Sequence, residues 1–168
     1  PIDRRQFLST AAAVAVAPLL RAEEKFRFNY ILSSCMYGTL PLGTIVPEVS
    51  KTGAGQLDIW PRVHGNQREQ LEKMGHEKFS ALLQRYKVSL GCITRYDLGP
   101  FGLQDEMQVA AKLGAKVLVC GGKGRRGLKG GELKAEVKKF AGLMRPHIAA
   151  AEKAGVTIAI ENHGSNLV

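Results

Sequence analysis

Two stretches, "AAKLGAKVLV" (110–119) and "AEKAGVTIAI" (151–160), share one plan: a helix end, a lysine, a glycine, then an apolar strand. "SKTGAGQLDI" (50–59) is a looser copy. A chain that repeats such junctions is committed to alternating helices and strands, hence to right-handed crossovers and a parallel sheet. The apolar runs are "FNYILSSCM" from Phe28, "QLDIW" from Gln56, "VSLGCIT" from Val88, "KVLVC" from Lys116 and "VTIAI" from Val156. Several lack strict alternation, as strands covered on both faces do. Their starts, at 28, 56, 88, 116 and 156, are spaced as βα units require.

The segments between read as helices. "QREQLEKMGHEKFSALLQRY" places Leu71, Met74, Phe79, Leu82 and Leu83 largely on one face, with a break expected at Gly75. "LQDEMQVAAKLG" closes on Gly114 and "GELKAEVKKFAGLMRPHIAAAEKAG" on Gly155, each with a lysine just before the glycine. That is a helix C-terminus, with a cation on the dipole and glycine in the left-handed cap. Pro146 is expected to kink or restart the last helix.

The class is therefore α/β, and two architectures accept this order. An open doubly wound sheet would carry a Gly-rich phosphate loop after its first strand, yet "SSCMYGTLPLG" holds no GxGxxG. It would also need a helix after "VTIAI". A (β/α)8 TIM barrel needs no such loop, and the helix after "VTIAI" is then expected among its missing units. The expectation is a partial barrel: parallel strands 1–5 with intervening helices, the chain truncated after strand 5 and three further units absent from the 168 residues.

Residues 3–22, "DRRQFLSTAAAVAVAPLLRA", are excluded from that argument. A charged start followed by a short, weakly hydrophobic run is the order of an export signal, and it is too short to span a bilayer. It resembles a twin-arginine signal through Arg4, Arg5, Phe7 and Leu8. Residues 1–24 are expected to be the signal, cleaved after Ala22 or Ala17, and 25–168 the N-terminal part of the barrel. The mature protein is then periplasmic, without a stable membrane anchor. The signal holds three basic residues (Arg4, Arg5, Arg21) and three acidic ones (Asp3, Glu23, Glu24), so the mature charge stays at +9.

That charge is spread along the chain with no aromatic-interleaved basic motif, which argues against nucleic acid as a partner. Cys35, Cys92 and Cys120 have no CxxC spacing and read as small buried hydrophobes rather than ligands or disulfide partners.

In a parallel barrel the functional groups lie at the C-terminal ends of the strands. Those ends supply Cys35, Met36 and Tyr37; Trp60, Arg62 and His64; Arg95, Tyr96 and Asp97; Cys120, Gly121, Gly122 and Lys123; and Glu161, Asn162 and His163. The Glu161 carboxylate should emerge at its strand terminus. There it can ligate a divalent cation, take a proton from carbon next to a carbonyl, or pair with an arginine of the next loop. Trp60 can stack on a sugar ring or simply pack. The loop "GGKGRRGLKGGE" (121–132), with Lys123, Arg125 and Arg126, can hold a phosphate or serve as a solvated lid.

The turns "DIWPRVHGN" and "ITRYDLG", and above all "VTIAIENHG", resemble the sugar phosphate isomerase/epimerase group, which belongs to the xylose isomerase-like TIM barrel superfamily. That superfamily also contains the endonuclease IV-type enzymes. The resemblance covers about Phe28 to Val168 and five of the family's eight units. It implies a metal-dependent isomerase or epimerase of sugars or sugar phosphates, with Glu161 both a metal ligand and one of two proton-moving carboxylates. The implied metal is Mn2+, with Mg2+, Co2+ or Zn2+ as alternatives. Substrate contacts then fall to His64, Trp60, Arg62, Asn162, His163 and Lys123. The other ligands would come from strands six to eight, so these five units alone are expected to be inactive. The competing readings are a non-catalytic carbohydrate-binding barrel and an endonuclease IV-like metal phosphodiesterase. A homo-oligomer is an open expectation.

Overall fold

The computed structural model describes residues 28–162. The stretch expected to be an export signal, 1–24, and His163 lie outside the described residues. The fold is α/β, with five parallel strands alternating with helices: β1 (Ile31–Ser33), β2 (Gln56–Ile59), β3 (Ser89–Thr94), β4 (Val117–Gly121) and β5 (Thr157–Glu161). A 3-10 turn, Ser34–Tyr37, follows β1. The helices are α1 (Leu42–Lys51), α2 (Gln67–Met74), α3 (His76–Arg85), α4 (Gln104–Leu113) and α5 (Gly130–Ala154).

The strands lie side by side in the order β1-β2-β3-β4-β5. Sequential order with right-handed crossovers places every helix on one face of the sheet. A doubly wound sheet would instead reverse direction at a switch point. The order thus decides between the two architectures in favour of barrel topology.

Register assigns the faces. Leu32 pairs with Leu57, Leu57 with Leu90, Ile93 with Leu118 and Leu118 with Ile158. These side chains meet Ile45, Leu71, Phe79, Met107 and Ala151 of the helices in one hydrophobic cluster. The opposite face, interior in a barrel, carries Ser33, Asp58, Cys92 and Thr94, and beyond them Val117, Val119, Ala159 and Glu161.

Between Leu57 and Asp58 the register shifts by one, because Asp58 pairs with Cys92 and Gly91 is the extra residue. The bulge resets the alternation, so Leu90 faces the helices while Cys92 and Thr94 face the interior. A Cβ at Gly91 would stand 2.9 Å from the Gln56 Oε1 and 3.0 Å from its Cβ, so a side chain there would have to displace Gln56.

The expected break at Gly75 is present. Its φ of +84° separates α2 from α3. Gly114 and Gly155 cap α4 and α5 in the left-handed conformation, with Lys112 and Lys153 in the last turns. Pro146 does not restart its helix, since α5 runs continuously through it. The residue four positions back, whose carbonyl the ring approaches, is the side-chain-free Gly142.

Helix α1 was not anticipated, although Leu42, Ile45, Val46 and Val49 recur at helical spacing and are fully buried. Two glutamines of α2 fasten the loop that leads into α1. Buried Gln67 donates to the carbonyls of Gly38 (2.8 Å) and Leu40 (3.1 Å). Gln70 accepts from the Leu42 amide at 2.8 Å. Gln67→Met, which leaves both carbonyls without that donor, is expected to cost about 2 kcal/mol in denaturant unfolding.

Candidate functional site

The C-terminal ends of β2 and β3 meet in a polar cluster on the interior face. At its centre is Asp58, whose side chain reads as an acid inside an apolar strand. The Thr94 hydroxyl donates to Asp58 at 2.9 and 3.0 Å from its two oxygens. The Trp60 indole N–H donates to Oδ2 at 2.6 Å, and the Ser33 hydroxyl lies 3.4 Å from the same oxygen. Ser33 Oγ is also 3.2 Å from Cys35 Sγ.

Burial pushes the Asp58 carboxyl above its ordinary value, against the hydrogen bonds from Thr94, Trp60, Cys92 and Ser33. A group whose folded pKa is raised contributes stability below its unfolded value, and that contribution is lost as pH rises through the folded value. Asn at 58 keeps an acceptor for the indole and does not ionise. Asp58→Asn is therefore expected to gain stability relative to the parent as pH climbs from below about 4 to neutrality. Parallel denaturation curves at the two ends of that range check the sign.

Above Asp58 three rings gather. Trp60 and His64 meet edge to face with centroids 5.6 Å apart, and Trp60 and Tyr96 are 5.5 Å apart and tilted by 39°. The structure thus brings two of the expected substrate contacts, Trp60 and His64, into one wall and adds Tyr96. Arg62 is exposed, and its backbone N–H donates to Glu69 at 3.1 Å.

The ring wall is braced by an ionic knot. Glu106 of α4, with its side chain 4% exposed, accepts from Arg68 Nε of α2 at 2.9 Å and from Arg95 Nη1. Arg95 in turn grips Asp97 through two bonds of 2.9 and 2.8 Å, which holds the Asp97 carboxyl below its ordinary value. The Arg68 amide donates to the Trp60 carbonyl at 3.0 Å. The knot therefore fixes the turns on which Trp60 and Tyr96 stand.

Glu161 is the last residue of β5 and pairs with Gly121 of β4. It shares the interior face with Asp58 and lies in the row beyond Thr94, Val119 and Ala159. Asn162 follows it and is exposed. Lys123 is exposed two residues past Gly121, on the glycine-rich loop that enters α5.

Cys92 and Cys120 are poor nucleophiles. Burial, together with the neighbouring Asp58, pushes the Cys92 thiol up to about 12, and burial pushes Cys120 up to about 11.

Among the described residues, no group of three or more His, Cys, Asp or Glu side chains is placed to hold a metal ion. Glu161 offers the carboxylate oxygen that a divalent cation takes. The described residues do not complete a coordination shell around it.

Asp58, Arg68, Arg95 and Glu106 were not singled out from the sequence as a connected site. The available signal for Asp58 was an acid in the middle of "QLDIW". The salt-bridge knot joins positions 38 and 11 residues apart and had no local signal.

No family model matches the sequence. No curated protein matches it either. Solved structures do match in fold. The IOLI protein, solved with a bound zinc atom, superposes with a TM-score of 0.65 at 17% identity over 84% of this chain and 54% of its own. A xylose isomerase domain protein from Alicyclobacillus acidocaldarius gives 0.58 at 15% identity, over 79% and 49% of the two chains. A sugar phosphate isomerase/epimerase from Parabacteroides distasonis gives 0.52 at 12%, over 84% and 54%. The chain spans about half the length of these structures, and at such identities the likeness is one of fold: the parallel βα order of xylose isomerase-like TIM barrels.

Proposed function

We propose that the protein is a metal-dependent isomerase or epimerase of a sugar or sugar phosphate, working by carboxylate-mediated proton transfer next to a carbonyl. The observation that carries this reading is the placement of Glu161. It is a carboxylate at the C-terminal end of a parallel strand, on the interior face of a sequentially ordered sheet, where such folds keep their chemistry. The likeness to sugar isomerase and epimerase barrels supports it.

In this reading Glu161 is one of two proton-moving carboxylates. It takes the proton from the carbon beside the carbonyl and can return it to the neighbouring carbon on the same side, while delivery to the opposite face falls to the second carboxylate, outside the described residues. Trp60, His64 and Tyr96 form the wall against which the sugar's carbon face lies, and Asn162, His163, Arg62 and Lys123 contact its oxygens. A divalent cation, Mn2+ first, would polarise the carbonyl, with Glu161 as one ligand and the remaining donors outside the described residues. The protein is exported by its twin-arginine signal to the periplasm.

The test is Mn2+ titration into the intact protein, followed by an assay of aldoses, ketoses and their phosphates, with Glu161→Gln alongside. Metal-dependent interconversion that Glu161→Gln removes supports the reading. Carbohydrate binding without turnover in the Mn2+-loaded protein points instead to a non-catalytic barrel.

A further inference from the structure

We propose that Asp58 is a positioning residue: by accepting the Trp60 indole N–H it fixes the ring plane on which a carbohydrate's carbon face stacks. This rests on the reading of the rim as a carbohydrate site, although its first readout does not.

Trp60 comes just after the last residue of β2, where the chain turns away from the sheet. Its backbone is held on both sides. The amide donates to Ser34 Oγ at 3.1 Å, and the carbonyl accepts from the Arg68 amide. Its ring is then held by the 2.6 Å bond to Asp58 Oδ2. With both ends tied, the side-chain torsions are fixed.

Asp58 is itself anchored. Thr94 reaches both of its oxygens and Ser33 approaches from β1, so the carboxylate cannot swing with the ring. Packing alone does not require this arrangement. An apolar residue at 58 would continue the run of buried neighbours Leu57 and Ile59 without desolvating a carboxyl. Burying one here makes sense if the plane of Trp60 has to be specified. Edge contact from His64 and the tilted Tyr96 then shape the two sides of that plane. A ring ordered before binding spares the ligand the entropy of ordering it.

The test follows Trp60 fluorescence in the intact protein, with Trp60→Phe as the blank, and binding of methyl β-D-xylopyranoside by calorimetry. In Asp58→Ala the Trp60 anisotropy should fall, its emission should shift to the red, and glycoside affinity should drop about tenfold or more. Asp58→Asn, which keeps an acceptor for the indole, should restore all three to within about threefold of the parent. Should Asp58→Ala fold poorly, Trp60→Phe supplies the second route. It keeps a ring but not the N–H, and should weaken binding as Asp58→Ala does, with the double variant no worse than either single one.

Unchanged anisotropy and emission in a folded Asp58→Ala would overturn the proposal. So would full additivity in the double variant. Lost anisotropy in Asp58→Ala with no glycoside response in the parent would support the tether and overturn only the carbohydrate reading.

Discussion

Glu106→Ala is expected to destabilise the protein by about 3 kcal/mol, since it leaves two partly buried arginines without their shared carboxylate. The side chains of Arg68 and Arg95 are 11% and 14% exposed, so water replaces little of what Glu106 supplied. A surface pair such as Lys51–Glu48, with side chains 67% and 36% exposed, is expected to be worth under about 1 kcal/mol. Glu106→Gln keeps one acceptor oxygen and should fall between the two. Equilibrium unfolding of the three variants checks the ranking, and a Glu106→Ala cost equal to that of Glu48→Ala would contradict the assignment of the knot as structural. A folded Glu106→Ala should also loosen the turns that carry Trp60 and Tyr96.

The second large effect falls on chemistry. Glu161→Gln preserves size and hydrogen-bonding capacity but removes the base that the proposed function requires, so on that proposal turnover should fall about 10²–10⁴-fold. Stability should change little, because Glu161 is exposed at the C-terminal end of β5. Steady-state rates and an unfolding curve on the same preparation separate the two effects. Loss of rate accompanied by loss of fold would assign Glu161 a structural role.

Much of this fold is legible from local signals. The glycines at 75, 114 and 155 each sit where a helix must stop, and each takes a positive φ there. Glu161 is legible too, because five apolar or β-branched residues deliver it to a strand end. The helix through Leu42, Ile45, Val46 and Val49 is obscured by Pro47, which reads as a breaker although the helix accommodates it.

The least legible feature is the bulge at Gly91. A strand reading of "VSLGCIT" alternates Leu90 with Gly91, which would put Leu90 and Cys92 on the same face. Only pairing with β2 shows the one-residue shift that turns Cys92 and Thr94 inward toward Asp58. The hydrogen bonds that make Asp58 a centre come from β1, β3 and Trp60, and no single stretch of sequence contains them. The Glu106 knot is hidden for the same reason, since its three charges belong to α2, α4 and the end of β3.

The most direct measurement is solvent exchange. The Mn2+-loaded intact protein is incubated in D2O with aldoses, ketoses and their phosphates, and deuterium at the carbon beside the carbonyl is followed by NMR. The account predicts incorporation at that carbon by the parent and none above background by Glu161→Gln. Exchange that persists in Glu161→Gln, or interconversion of these substrates that Glu161→Gln leaves intact, would contradict it.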